Sequence, residues 1–275
     1  QALAEGEVLT DQITVRATDN DGGYDEQVVT ITITGTNDTP VAQSTIPAQS
    51  GEDASTISDL DITEYFSDAD IADTLSYSAT GLSSGLTLNE TTGVISGAPD
   101  ASASQGGPNG DGVYTVTITA DDGNGGTVEQ SFEWVVTNPT PEASNDAGTT
   151  DQNSLLNVSS GGVLTNDIDS DGDTLTVTEV NGSATNISTG IAGDNGGLFT
   201  LNPDGSYSFD PNGDFNELPE GESATTSVTY TVSDGEGGTD TATLTVTVNG
   251  LNDQPQAQDD ASLILVGENA VQNVL

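Results

Sequence analysis

Several segments of the chain alternate apolar residues with threonine, which is the pattern of a β-strand with one face on a hydrophobic core. The alternation is clearest at residues 28–34 and 241–248, and it recurs at 114–119, 174–178 and 228–232. Clusters of Gly, Asp, Asn and Pro separate these segments, and no segment has a convincing helical spacing. The pattern predicts an all-β chain with the short strands and frequent turns of β-sandwiches.

The chain also repeats itself. Residues 5–40 match residues 220–255 at a constant offset of 215, which aligns Asp19 with Asp234 and the Gly pair at 22–23 with the pair at 237–238. A third copy of the same hairpin turn occurs at residues 122–126. Repetition on this scale indicates a tandem array of similar units.

The repeats predict four segments. Residues 1–39 form the C-terminal part of one domain, 40–139 and 140–254 form two whole domains, and 255–275 form the first strand or strands of another. We expect an excerpt from a longer array, since no signal peptide or hydrophobic span is present. The alternative is that the end of one copy completes the beginning of the next. It is disfavoured because the two pieces would lack the middle half of a domain.

Composition narrows the possible chemistry. The chain has 275 residues, a formal net charge of -44, 45 acidic residues and a single basic one, Arg16, with no His, Cys or Met. Such a charge repels nucleic acid and anionic lipid, so we expect no nucleic-acid partner and no direct membrane insertion. Nucleophilic triads with His, thiolate chemistry and zinc sites with His or Cys ligands are excluded. Oxygen ligands remain, and they suit hard cations such as Ca²⁺.

Five motifs resemble known repeat families. Residues 66–77 and 92–99 resemble the dystroglycan-type cadherin-like domain, and residues 163–177, 203–211 and 234–240 resemble cadherin-like and VCBS repeats. Both types are typical of giant RTX-type adhesins of Gram-negative bacteria. The resemblance implies tandem Greek-key, immunoglobulin-like or cadherin-like β-sandwiches, secretion to the extracellular face of the outer membrane, and Ca²⁺ bound at the domain junctions.

Two loops have closely spaced aspartates that suit a cation. The later loop begins like an EF-hand, but Thr178 stands at its twelfth position and strands rather than helices flank it, so we interpret it as a loop between sandwich strands. The candidate ligands are Asp167, Asp169, Asp171 and Asp173 in this loop and Asp68, Asp70 and Asp73 in the equivalent loop of the preceding domain.

The resemblance to cadherins also implies ligand sets at three junctions. The first set is Asn37, Asp38, Asp68 and Asp70, with Asp121 or Asp122 and with Glu5 or Glu7. The middle set is Glu142, Asn145, Asp146, Asp169, Asp171 and Asp234. The third set is Asn252, Asp253, Asp259 and Asp260. The middle linker, residues 138–141, lacks the Asn-Asp pair, so we expect fewer ions there and prolines that limit motion.

Some of these residues have simpler interpretations. Asp19, Asp21 and Asp204 suit ordinary turns as well as a metal site. We expect Trp134 to be a core residue rather than a sugar-stacking platform, and Arg16 to form a local ion pair on a strand face.

The sequence therefore favours a non-enzymatic, calcium-rigidified extender of a large secreted surface adhesin. The alternatives are a module that binds host or biofilm glycans, peptides or proteins, and a subunit of a calcium-dependent surface filament. A carboxylate-pair glycosidase is formally possible. It is disfavoured because the acidic motifs repeat between domains, as scaffold motifs do. The partners expected are calcium ions and the neighbouring domains of the same chain.

Overall fold

The fold is all-β, as the sequence pattern predicts. The computed structural model describes residues 3–70 and 73–252, so Asp253, Asp259, Asp260 and the segment 255–275 lie outside the described residues. The described residues form strands, turns and four short 3-10 segments, and none of them is α-helical. The 3-10 segments are Thr63–Tyr65, Ala103–Gln105, Gly162–Leu164 and Ala184–Asn186.

The first element is an antiparallel hairpin. Strand β1 (Val8–Thr18) pairs with β2 (Tyr24–Thr34) over its whole length. All residues of both strands are exposed, including Ile13 at 47% and Ile31 at 45% of their maximal accessible area. Within the described residues, the hairpin therefore has no second sheet against its apolar face.

A β-sandwich with its own hydrophobic core follows the hairpin. One sheet has the order β4-β11-β10-β7, a second has the order β5-β9-β8, and β3 pairs with β6. Trp134, Phe132 and Ile118 are buried between the sheets with Ile62 and Ile95. The strands are β3 Val41–Ala42, β4 Gln49–Glu52, β5 Leu60–Asp61, β6 Phe66–Ser67, β7 Ser76–Thr80, β8 Leu86–Asn89, β9 Val94–Gly97, β10 Val113–Asp121 and β11 Thr127–Thr137.

A second sandwich has two four-stranded sheets, with the orders β12-β19-β18-β14 and β13-β17-β16-β15. Its core contains Phe199, Phe209, Leu244 and Tyr230, all almost completely buried. The strands are β12 Asp146–Asp151, β13 Leu156–Val158, β14 Thr176–Val180, β15 Ile191–Ala192, β16 Leu198–Leu201, β17 Tyr207–Asp210, β18 Ser223–Ser233 and β19 Thr239–Asn249.

The same strand arrangement places one polar residue at the end of each sandwich. β4 pairs in parallel with β11, and β12 pairs in parallel with β19. Asp53 follows β4 and its backbone N–H donates to Thr137, while Gln152 follows β12 and donates to Asn249. Both side chains are 1% exposed. Asp53 is thus a buried acid beside the linker that begins at Asn138.

Candidate metal centre

The first junction is built on the hairpin turn after β10. Asp122 Oδ1 accepts the backbone N–H groups of Asn124 (2.7 Å) and Gly126 (2.9 Å), and its Oδ2 accepts the Asn37 amide (3.0 Å). These donors, with the Asn37 amide first, hold the pKa of Asp122 below its usual range. The structure thus places Asp122 against the linker, whereas Asp121 accepts the N–H of Gly123 (2.7 Å) within its own turn.

The aspartate loop of the first junction is joined to the same linker. Asp70 is 1% exposed; its N–H donates to Asp68 Oδ1 (2.8 Å), and its Oδ2 accepts the N–H of Asp38 (2.8 Å). Asp73 Oδ2 accepts the Asn124 amide (3.0 Å). Three buried oxygens of this junction lack a hydrogen-bond donor: Oδ1 of Asn37, Oδ2 of Asp68 and Oδ1 of Asp70.

The middle junction repeats this architecture. Asp234 Oδ1 accepts the N–H groups of Glu236, Gly237 and Gly238 at 2.8, 3.0 and 3.0 Å, and its Oδ2 accepts the Asn138 amide at 2.9 Å. A Cβ on Gly238 would overlap the Asp234 carboxylate and Pro141, so this position of the turn requires glycine. Asn138 and Asp234 are therefore the structural equivalents of Asn37 and Asp122.

The aspartate loop of the middle junction is the most compact acidic cluster. Asp169, Asp171 and Asp173 each offer a carboxylate oxygen, and the three oxygens lie within 4.8 Å of one another. Among the described residues this is the one group of three or more potential metal ligands that meets this spacing; the first junction does not. Asp169 Oδ1 accepts the N–H of Asp171 (3.2 Å), of Gly172 (3.2 Å) and of Asp173 (3.3 Å), which leaves its Oδ2 free.

The pKa values of three acids in and beside this cluster are raised, by burial first and by electrostatic repulsion after it. Burial, together with the Asp169 and Asp173 carboxylates, raises the pKa of Asp171 to about 7. Burial and the charges of Asp169, Asp234 and Asp53 raise the pKa of Asp173. Burial and the charges of Asp173, Asp53 and Asp234 likewise raise the pKa of Glu236. These groups hold negative charge at a cost that a bound cation would remove.

Seven buried oxygens of the middle junction lack a hydrogen-bond donor. They are Oδ2 of Asp53, Oδ1 of Asn138, Oδ2 of Asp169, both carboxylate oxygens of Asp171, Oδ2 of Asp173 and Oε2 of Glu236. Buried polar atoms are normally satisfied, so a cluster of orphaned acceptors indicates a missing cationic or donor partner. Carboxylate and amide oxygens are the donor set that Ca²⁺ prefers, and a site uses about six to eight of them. The residues present therefore fit a calcium site.

The preceding sandwich contributes directly to this cluster. Asp53 Oδ1 accepts the N–H of Ser104 (2.9 Å), and Oδ2 is orphaned. The Gln105 amide donates across the junction to the backbone carbonyl of Glu236 (3.3 Å). Sequence reasoning missed Asp53 and Glu236, because neither lies in the linker or in an Asp-x-Asp motif. The sequence also led us to expect fewer ions at the middle junction, and that stays a prediction; the structure gathers more orphaned oxygens there than at the first junction.

Asp146 and Asn145 of the middle set, and Asp167 of the aspartate loop, lie outside the cluster of Asp169, Asp171 and Asp173. Asp146 and Asp167 lie in a separate cluster around Tyr230, whose hydroxyl donates to Asp146 Oδ2 (2.7 Å) and lies 3.0 Å from the Ser144 carbonyl. Burial raises the pKa of Asp167, and the charges of Asp146 and Asp240 raise it further. Asn145 Oδ1 accepts the N–H of Thr243 (2.8 Å) on β19.

Other candidates lie apart from these clusters. Glu5 and Glu7 are exposed, and Glu7 accepts the N–H of Ala4 (3.2 Å). Glu142 pairs through its backbone with Ile168, and Asn252 is exposed.

The structure places the residues with simpler interpretations in turns, in the core and on a strand face. Asp204 accepts the N–H of Ser206 (3.0 Å) in a turn, and Asp19 accepts those of Asp21 (2.9 Å) and Gly23 (2.7 Å). Trp134 is 2% exposed in the core, and Arg16 forms an ion pair with Glu26, its partner across the hairpin.

The two sandwiches match the models of two different protein families. Residues 138–250 match the model of the bacterial cadherin-like domain, and residues 39–137 match that of a putative Ig domain. No curated protein sequence matches the chain.

Several solved structures are similar in part. Drosophila N-cadherin EC1-4 is 15% identical over 91% of this chain and 59% of its own, with a TM-score of 0.36. Mouse cadherin-23 EC22-24 is 19% identical over 88% of this chain and 74% of its own, with a TM-score of 0.37. Protocadherin gamma B2 extracellular domains 3-6 are 17% identical over 89% of this chain and 60% of their own, with a TM-score of 0.37. The chain thus spans less than two thirds of the N-cadherin chain.

The fold and the family matches define a class: cadherin-like and Ig-like β-sandwiches in tandem, joined by short linkers. The cadherin-like match supports an extracellular adhesion-type module. Domains of these two kinds typically serve as structural or adhesion modules. None of the helical segments in the described part of the chain could span a bilayer.

Proposed function

We propose that the chain is a calcium-rigidified extender of a large secreted bacterial surface adhesin, which holds a distal binding region away from the cell. The cadherin-like family match and the tandem sandwiches support this function. The strong excess of carboxylates, with a formal net charge of -44, supports a cation as the partner that stabilises the array. A Gram-negative RTX-type adhesin is the context that the sequence motifs favour.

The middle junction carries the proposal. Its orphaned oxygens come from both sides of the linker: Asp53 belongs to the first sandwich, Asn138 to the linker, and Asp169, Asp171 and Asp173 to the second sandwich. Groups from two domains that share one charge partner resist relative motion of the domains. Bound calcium would supply the positive charge that these carboxylates lack. Without it, their mutual repulsion favours separation of the two sandwiches and bending at the linker.

The remaining ligand and domain assignments belong to the same proposal. Asn37, Asp68, Asp70 and Asp122 would hold calcium at the first junction. The hairpin β1–β2 would be the terminal hairpin of a further domain of the same type, because its sequence matches β18–β19 at a constant offset.

Calorimetry and small-angle scattering test the proposal. The 275-residue chain is compared in excess chelator and in calcium at about 100 times its dissociation constant. Linkage adds about 2.7 kcal/mol to the stability of the bound state, which for a domain of this size raises Tm by about 10 °C. The radius of gyration should become insensitive to further calcium once the junctions are saturated.

Two variants sharpen this test. Asp171→Asn should reduce the calcium-induced rise in Tm, and the exposed Asp59→Asn should leave it unchanged. Equal Tm values and equal scattering curves with calcium and with chelator would refute the extender function.

A further inference from the structure

The first and middle junctions share one architecture but differ at two equivalent positions. The linker residue after the bridging asparagine is Asp38 at the first junction and Pro139 at the middle one. The middle residue of the hairpin turn is Asn124 at the first junction and Glu236 at the middle one. Each difference changes the number of hydrogen-bond donors that reach the neighbouring carboxylate.

The linker difference removes a donor. At the first junction the N–H of Asp38 donates to Asp70 Oδ2 at 2.8 Å, which leaves one orphaned oxygen on Asp70. Proline has no N–H, so the equivalent Asp171 keeps two orphaned oxygens. A bound cation stabilises a carboxylate more when that carboxylate accepts no hydrogen bonds, because no internal hydrogen bond has to be weakened or shared.

The turn difference removes a second donor and adds an acceptor. At the first junction the Asn124 amide donates to Asp73 Oδ2 at 3.0 Å. A glutamate cannot donate, and Oδ2 of Asp173 is orphaned together with Oε2 of Glu236. Glu236 lies against the preceding sandwich, where Gln105 donates to its carbonyl and the 1% exposed Asp53 has its own orphaned oxygen. Glu236, in the turn between β18 and β19, therefore provides the middle junction with the acidic side chain that its linker lacks.

We propose that Glu236 is a calcium ligand that replaces the missing linker acid, and that the middle junction, where more oxygens lack internal donors, fills at lower calcium concentration than the first. This inference rests on the proposed function. At intermediate calcium the two sandwiches would form a rigid pair while the first junction still bends, so the array would stiffen stepwise.

Site-resolved titration by amide NMR tests the order of filling. Gly126 and Gly238 donate to Asp122 and Asp234 respectively, so their amide signals report on the first and the middle junction separately. The calcium-free 275-residue chain is titrated with calcium chloride. We expect half-saturation of the Gly238 shift at a calcium concentration about tenfold lower than for Gly126, because carboxylate number tunes calcium affinity over decades.

Variants at the turn position separate the two parts of the inference. Glu236→Asn, which copies the first junction, should raise half-saturation at Gly238 about tenfold and leave Gly126 unchanged. The reciprocal Asn124→Glu should lower half-saturation at Gly126, and the exposed Glu90→Asn is the control for loss of charge alone. Circular dichroism verifies that each variant is folded.

The outcomes discriminate between the two proposals. Simultaneous filling, prior filling of the first junction, or an unchanged Gly238 titration in Glu236→Asn would overturn this inference while leaving the extender function intact. If neither glycine signal responds to calcium, both the extender function and this inference are refuted.

Discussion

Truncation of a side chain to alanine should change stability by very different amounts at two equivalent positions of the repeat. Leu244 on β19 and Val29 on β2 are related by the offset of 215 and stand in the same alternating pattern. Leu244 is 0% exposed inside the second sandwich, whereas Val29 is 42% exposed on the hairpin β1–β2, which no second sheet covers within the described residues. We predict that Leu244→Ala destabilises its sandwich strongly and that Val29→Ala has little effect.

The magnitude follows from burial. Truncating a fully buried leucine removes its transfer free energy and leaves a cavity, which costs about 3 to 4 kcal/mol at a well-packed site. For a domain of this size the loss lowers Tm by about 10 to 15 °C. Val29 is already 42% exposed, so its truncation removes less buried apolar area and should cost less than about 1 kcal/mol.

The single tryptophan allows the two sandwiches to be followed separately. Trp134 lies in the core of the first sandwich, so its fluorescence reports unfolding of that sandwich alone. In chelator, Leu244→Ala should lower a calorimetric transition and leave the midpoint of the fluorescence transition unchanged. A Tm change below about 3 °C for Leu244→Ala, or an equal effect of Val29→Ala, would refute the assignment of burial.

Two further pairs of substitutions test polar contacts, all in chelator so that calcium does not contribute. Asp234→Ala removes the acceptor of three N–H groups in the turn and of the Asn138 amide. Because the Gly238 N–H is buried and would lose its acceptor, we expect the free energy of unfolding in urea to fall by about 2 to 4 kcal/mol. Asp234→Asn keeps an acceptor and should lower this free energy clearly less. Tyr230→Phe removes the hydroxyl that donates to Asp146 and should lower the free energy of unfolding by about 1 to 3 kcal/mol. Tyr24 is 61% exposed, so Tyr24→Phe should leave the free energy of unfolding unchanged. Equal costs within either pair would contradict these roles.

Sequence reasoning predicted the strands and the turns well. Alternation of apolar residues with threonine identifies β2, β10, β18 and β19, because side chains of a strand point alternately to its two faces. The alternation predicts which face of a strand is apolar: in β19 that face lies in a core, and in β2 no sheet covers it within the described residues. Burial depends on whether a second sheet covers the face.

The candidate site was predicted in part. The proximity of Asp169, Asp171 and Asp173 could be expected because their short spacing in a turn brings the carboxylates together, and their role as metal ligands stays a prediction. Asp53 lies 85 residues before Asn138 in the chain and reaches the junction because β4 pairs in parallel with β11. A pairing of strands so distant in sequence has no local signal, so the preceding sandwich's contribution could not be predicted.

Amino-acid composition alone restricts the chemistry that this chain can perform. With 45 acidic residues, one basic residue and no His or Cys, only oxygen ligands and hard cations remain, whatever the fold. The fold places particular acids next to one another, among them Asp169, Asp171 and Asp173. The linker favours the first junction, with Asp38, whereas the folded chain leaves more oxygens without donors around Asp171, next to Pro139. Whether an oxygen has a hydrogen-bond donor depends on its three-dimensional neighbours, so it could not be read from the order of residues in the chain.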